Sequence, residues 1–201
     1  MEQFIQSSAS IIFAATLIAS LLGLFQIPKI IDVGLFRPYW FLRAKQYHTI
    51  ITSGFIHADL SHLLFNMFTF YFFAFDLERH IGAPRFTLLY LTGLLLSHSC
   101  TYFKHKDNRQ YASLGASGAI SAVLFAYIVY FPTTTLIILP IPIPIPAVLF
   151  AIGYVAYSYW AASQQRGHIN HDAHLCGAIS GLLFVSATDI DAYNNLARLL
   201  N

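Results

Sequence analysis

Gln110–Gln165 reads QYASLGASGAISAVLFAYIVYFPTTTLIILPIPIPIPAVLFAIGYVAYSYWAASQQ, and none of its residues is Asp, Glu, Lys or Arg. A segment this long without a formal charge has no face to turn toward water. A helix that crosses a bilayer needs roughly 20 mostly apolar residues, so the stretch is too long for one span and long enough for two with a turn. Pro132 and the alternating run Pro140–Pro146 mark the division, because a proline inside a helix lacks the N–H and collides with the preceding turn. Helices are expected at 117–131 and 146–163. The Ile-Pro run is read as a helix entry segment, in preference to an apolar extended loop at the membrane surface.

The same punctuation by charge extends outward. Residues 3–28 carry none and give a helix at 8–27. Residues 59–79 give the next, with Asp59 as its cap and Asp76, Glu78 and Arg79 closing it. Gly82 and Pro84 make a turn, 85–104 a third helix, and 173–188 the last, after a polar loop at Gln164–Asp172. Residues 29–58 mix Lys29, Asp32, Arg37, Arg43 and Lys45 with Phe36, Tyr39, Trp40 and Phe41. Rings and charges of this kind share a membrane interface, so the connection is expected to be partly ordered. The composition agrees. Of 201 residues, 57% are hydrophobic and only 10% charged, with a mean hydropathy of +0.60, where soluble domains carry about 25% charged residues. The expected fold is all-α: one polytopic membrane domain over residues 1–201, a bundle of six transmembrane helices. A net charge of +2 gives no footprint for nucleic acid. The start Met1-Glu2-Gln3 lacks the basic region of a cleaved signal peptide. Cys100 and Cys176 lie in apolar stretches and read as small core residues, not as a disulfide.

Polar groups inside a membrane are costly and commonly face a cavity or a partner. Here they are His57, His62 and Asn66 near the second helix, His98 in the third, Ser117 and Ser121 in the fourth, and His171 and His174 at the sixth. His62 and Asn66 are four apart and share a helix face. Gly115-Ala116-Ser117-Gly118 opens a helix, which leaves free backbone N–H groups beside the serine hydroxyl. His174, Gly177 and Gly181 share one face, and the two glycines form a close-packing seam. If that seam meets the fourth helix, His174 meets Ser117 and can take its proton. Asp172, two residues earlier, points about 200° away, so a Ser-His dyad is the simpler proposal. A metal site built from His57, His62, His171 and His174 is disfavoured, because no H-E-x-x-H string occurs. The bland alternatives are polar ties between helices and ordinary small-residue packing.

His57-x4-His62-x3-Asn66, then Gly115-x-Ser117-Gly118, then Ala173-His174-x2-Gly177-x3-Gly181, in this order on the second, fourth and sixth helices, resembles the rhomboid protease family over residues 8–188. The resemblance implies a six-helix bundle around a hydrated cavity, and a serine-type endopeptidase that cuts transmembrane segments of other proteins. In that reading Ser117 is the nucleophile and His174 the base. His62, Asn66 and the Ser117 N–H form the oxyanion hole. His57, Gly115, Gly118, Gly177 and Gly181 support the site. No metal and no cofactor are implied, and the partners are transmembrane substrates and the bilayer. Residues 161–172 resemble the cap over the site, the fifth helix resembles the substrate gate, and Glu78-Arg79 also look familial. Gln46-Tyr47-His48-Thr49 stands where many members have a Trp-Arg pair. The family orientation puts Lys29, Arg37, Arg43, Lys45, Lys104, Lys106, Arg109 and Arg166 outside against Arg79, Arg85 and Arg198 inside. That reverses the usual excess of basic residues in cytoplasmic loops. A bacterial plasma membrane is the expected location. The competing classes are a small transporter, suggested by the broken fifth segment, and an inactive rhomboid-like binder of membrane clients.

Overall fold

The computed structural model describes residues 7–138, 141–164 and 170–198. Six long helices run over Ser8–Phe25 (α1), Leu60–Ile81 (α5), Ala83–His105 (α6), Ser117–Tyr130 (α7), Ala147–Gln164 (α8) and His171–Thr188 (α9). Three short helices, Lys29–Gly34 (α2), Pro38–Arg43 (α3) and Thr49–Thr52 (α4), order the connection after α1, and Tyr193–Ala197 (α10) ends the described chain. Among the described residues, α1 and α5 are long and apolar enough to cross a membrane singly; α9 and the segment Ile190–Ala197 reach that length and hydropathy only together, across a bend of 112°.

Three of the long helices, α1, α5 and α9, begin where a side chain satisfies a free N–H of the first turn. Asp59 accepts the His62 N–H at 2.7 Å to cap α5. Asn170 accepts the Ala173 N–H at 3.1 Å, so α9 starts at His171, two residues before the expected 173. For α1 the anion comes from another helix. The buried Glu78, near the end of α5, accepts from the Ser7 hydroxyl and from the Ser8 N–H at 2.7 Å. This carboxylate staples the two antiparallel helices and suits the positive end of the α1 dipole.

The all-α expectation needs one correction. The Ile-Pro run is not a helix entry segment but a strand. Thr135–Ile138 (β1) pairs antiparallel with Ile141–Pro146 (β2), with Leu136 opposite Ile145 and an irregularity at Ile137/Ile138. In a strand successive N–H groups point to opposite edges. Prolines at every second position remove donors from one edge only and leave the intervening Ile residues to pair.

The core sits around α7. Every residue from Gly118 to Tyr130 is buried, enclosed by α5, α6, α8 and α9. Its fourteen residues span only about 21 Å, less than the roughly 30 Å hydrocarbon layer. If the far end of α7 reaches one membrane surface, Ser117 at the near end is recessed below the other.

A second correction concerns the cysteines. Cys100 and Cys176 form a disulfide, with Cα atoms 6.5 Å apart, tying α6 to α9. Their apolar flanks suggested core residues because sequence alone does not show that these two helices are neighbours.

Candidate active site

The loop before α7 is fixed from outside. Phe36 and Ser113 exchange backbone hydrogen bonds at 3.0 and 2.9 Å, and the Gly115 N–H donates to the Ser53 carbonyl at 2.8 Å. The partly ordered connection between α1 and α5 thus sets the position of Ser117. Gly115 has φ +112°, a conformation open to glycine and strained for other residues, and a Cβ there would sit 2.7 Å from the His62 ring. Its glycine therefore serves both the turn and the approach of His62.

His57 is fully buried and its tautomer follows from its neighbours. The Ala116 N–H donates to its Nε2 at 3.4 Å, so Nδ1 carries the proton and faces Ser20 Oγ at 2.9 Å; the Ser20 hydroxyl passes its own hydrogen to the Phe55 carbonyl at 3.1 Å. Burial first, and the nearby His62 ring second, push His57 down to about 3, with Asp59 opposing. It is a neutral strut from α1 to the residue preceding Ser117. His98 is similar. Its Nδ1 donates to the Leu94 carbonyl at 2.8 Å, which leaves Nε2 to accept from the Ser53 hydroxyl at 2.8 Å.

The seam of α9 meets α7, backbone to backbone. A Cβ on Gly177 would collide with the Gly118 carbonyl, one on Gly181 with the Ala122 carbonyl, and one on Gly118 with Ser97. This close approach places the first turns of the two helices side by side: a Cβ on Gly118 would lie 3.4 Å from the Ala173 carbonyl oxygen, a contact that Ser117 and His174 each adjoin in sequence. His62 joins them: its ring lies 4.8 Å from that of His57 and within electrostatic reach of His174. Ser117, His62 and His174 are half-buried, while His57, Gly115, Gly118, Gly177 and Gly181 are buried behind them. Asn66 is buried one turn below His62 and gives one amide hydrogen to the His62 carbonyl at 2.9 Å, which leaves its second N–H free of that bond. The structure thus gathers the residues read from the sequence into one region. Asp172 is held elsewhere, by Lys104 Nζ at 2.7 and 2.8 Å. The cap expected at 161–172 falls partly on residues 165–169, outside the described residues.

Two neighbours were not legible beforehand. Tyr154 of α8 lies parallel to the His174 ring, with centroids 6.3 Å and planes 16° apart, and its hydroxyl is 2.7 Å from Ser121 Oγ. Ser20 anchors His57 from α1. Both come from apolar helices whose rotation the sequence leaves open. Among the described residues, no cluster of three or more His, Cys, Asp or Glu could hold a metal ion.

Residues 44–188 match the family model of the Rhomboid domain. The chain is 34% identical over 153 residues to RHOMBOID-like protein 12, mitochondrial, of Arabidopsis thaliana, covering 68% of this chain and 45% of that one. It is 30% identical over 169 residues to Rhomboid protein 1, mitochondrial, of Saccharomyces cerevisiae, covering 81% and 48%. A Bacillus subtilis protein whose name also carries the word rhomboid is 37% identical over 79 residues, 39% of each chain. The chain spans about half the length of the first two.

Proposed function

The chain belongs to the rhomboid family, and from that membership we propose that this membrane protein is a serine endopeptidase that cuts transmembrane segments of other proteins. The observation that carries the reading is the glycine seam: Gly177 on Gly118 sets the Ser117 turn beside His174. Ser117 attacks the scissile carbonyl, and His174 takes its proton and later gives it to the leaving amine. His62, the free N–H of Asn66 and the Ser117 backbone N–H receive the oxyanion, often the largest single term in such catalysis. The six long helices act as six spans around a hydrated pocket lined by these polar groups, since hydrolysis within a bilayer needs water held by protein. Helical peptide bonds are shielded, so the preferred substrates carry Gly, Pro or other helix-weakening residues near the interface. The proposed location is a bacterial plasma membrane; the mitochondrial names belong to the relatives.

The test is cleavage of a tagged transmembrane substrate by the purified chain in proteoliposomes, beside Ser117→Ala and His174→Ala. Both variants are expected to fold and to lose activity by at least about 10³-fold. Wild type that retains substrate without cutting it, across several substrates, would favour the inactive binder. A Ser117→Ala protein that cuts normally would end the proposed mechanism.

A further inference from the structure

Tyr154 neighbours His174 from a third helix and reaches the Ser117 turn through Ser121. Its ring lies parallel to the His174 imidazole. Its hydroxyl reaches Ser121 Oγ at 2.7 Å, and Ser121 in turn bonds the Ser117 carbonyl at 2.8 Å. A serine hydroxyl has one hydrogen. Ser121 spends it on the Ser117 carbonyl, so Tyr154 is the donor to Ser121. A directed chain therefore runs from Tyr154 through Ser121 to the first turn of α7, while the same ring backs the histidine.

The rest of the Tyr154 environment is aromatic. Phe125 of α7 and Phe150 of α8 lie 5.4 and 5.7 Å from it. Its hydroxyl is thus steered to Ser121 by an otherwise apolar pocket. The helix that carries it meets the bundle through few residues: Ala147, Ser158 and Ala161 are buried, while Leu149, Ile152, Tyr157, Tyr159 and Trp160 face outward. An element with few buried contacts opens more readily than one with many.

We propose that Tyr154 is a positioning residue for the hydrolysis, orienting the His174 ring and the Ser117 turn together, so that the pair is fully set only while α8 is seated. The proposal rests on the protease reading above. A ring lying parallel beside the imidazole restricts its rotation without taking up either ring nitrogen. A small error in that orientation slows proton transfer without weakening substrate binding, because reacting geometry is what such contacts supply.

The experiment uses the full chain in proteoliposomes, with two readouts. One is the rate at which a small fluorophosphonate labels Ser117, which reports the nucleophile without a transmembrane substrate. The other is kcat and KM on a transmembrane substrate. The variants are Tyr154→Leu, Tyr154→Phe and Ser121→Ala, with Ser117→Ala as the blank and thermal unfolding as the check on folding. Tyr154→Leu is expected to lower both labelling rate and kcat by about 10–100-fold with KM within about twofold. Tyr154→Phe keeps the ring and loses the donor; it is expected to recover most of that loss and to match Ser121→Ala. Wild-type labelling by Tyr154→Leu, or an effect confined to KM, overturns the proposal while leaving the protease reading intact. If Tyr154→Leu does not fold, Tyr154→Phe and Ser121→Ala decide: equal, modest losses in kcat support the proposal, and wild-type rates in both overturn it. Wild type that is neither labelled at Ser117 nor active removes the protease reading and this proposal with it.

Discussion

His57 accepts from the Ala116 N–H and donates to Ser20, and does both only as a neutral ring. Its ordinary value of 6.5 is pushed down to about 3 in the fold. Between these values the unfolded chain binds a proton here and the folded chain does not, so this ring makes stability fall as pH drops through that window. The unfolding temperature of detergent-solubilised protein is expected to decline from neutral pH toward pH of about 4, with a shallower decline in His57→Gln. His57→Ala strands the buried Ala116 N–H and is expected to cost about 1–3 kcal/mol. At this scale the sequence is informative for residues whose type is odd for their place, such as His57, His62, Ser117 and His174 in apolar surroundings. It is silent on Tyr154 and Ser20, because a tyrosine or a serine in a membrane helix is common and nothing local says which way it faces.

The long helices were legible because charge and proline punctuate them, and the Asp59 cap marks the start of α5; the Asn170 cap, which starts α9 two residues before the expected 173, was not read. The pairing of 135–138 with 141–146 was not legible. Reading proline as a helix breaker says where a helix stops and leaves unsaid what replaces it; the strand follows only once period-two proline is seen to clear a single edge. Glycines differ among these elements in a way that substitution can measure. Gly177 faces the Gly118 carbonyl with no room for a Cβ, while Gly153 on α8 has open space around it. Gly177→Ala is expected to cost about 1–3 kcal/mol by overpacking, and to slow cleavage by about 100-fold by shifting His174 from Ser117. Gly153→Ala is expected to leave activity unchanged and stability equal or higher by up to about 1 kcal/mol. Thermal unfolding and cleavage assays on the two variants separate these outcomes.

Across the whole molecule, Glu78 staples α1 to α5 and the disulfide staples α6 to α9. The cross-link joins residues 76 apart in sequence, and its removal by Cys100→Ser is expected to cost about 2–4 kcal/mol on thermal unfolding. Many of the basic residues that upset the usual charge rule are engaged in the fold. Arg37 pairs with Asp32 at 3.1 Å, Arg43 with Asp107 at 3.6 Å and Lys104 with Asp172 at 2.7 Å, and Arg109 lies over the Tyr39 ring. Such residues belong to a structured interfacial layer, where a count of loop charges says little. The disulfide supplies a different compass. Cys100 lies five residues before the end of α6 and Cys176 five after the start of α9, both at the end where α7 begins. Disulfides persist where glutathione and thioredoxin do not keep thiols reduced. The disulfide predicts that the half of the protein that holds Ser117 lies on the oxidising side of its membrane, and under the proposed function cleavage products released there would enter that compartment. In native membranes a maleimide polymer is expected to shift neither cysteine on a gel until reductant is added. Two free thiols from the start would turn the molecule over.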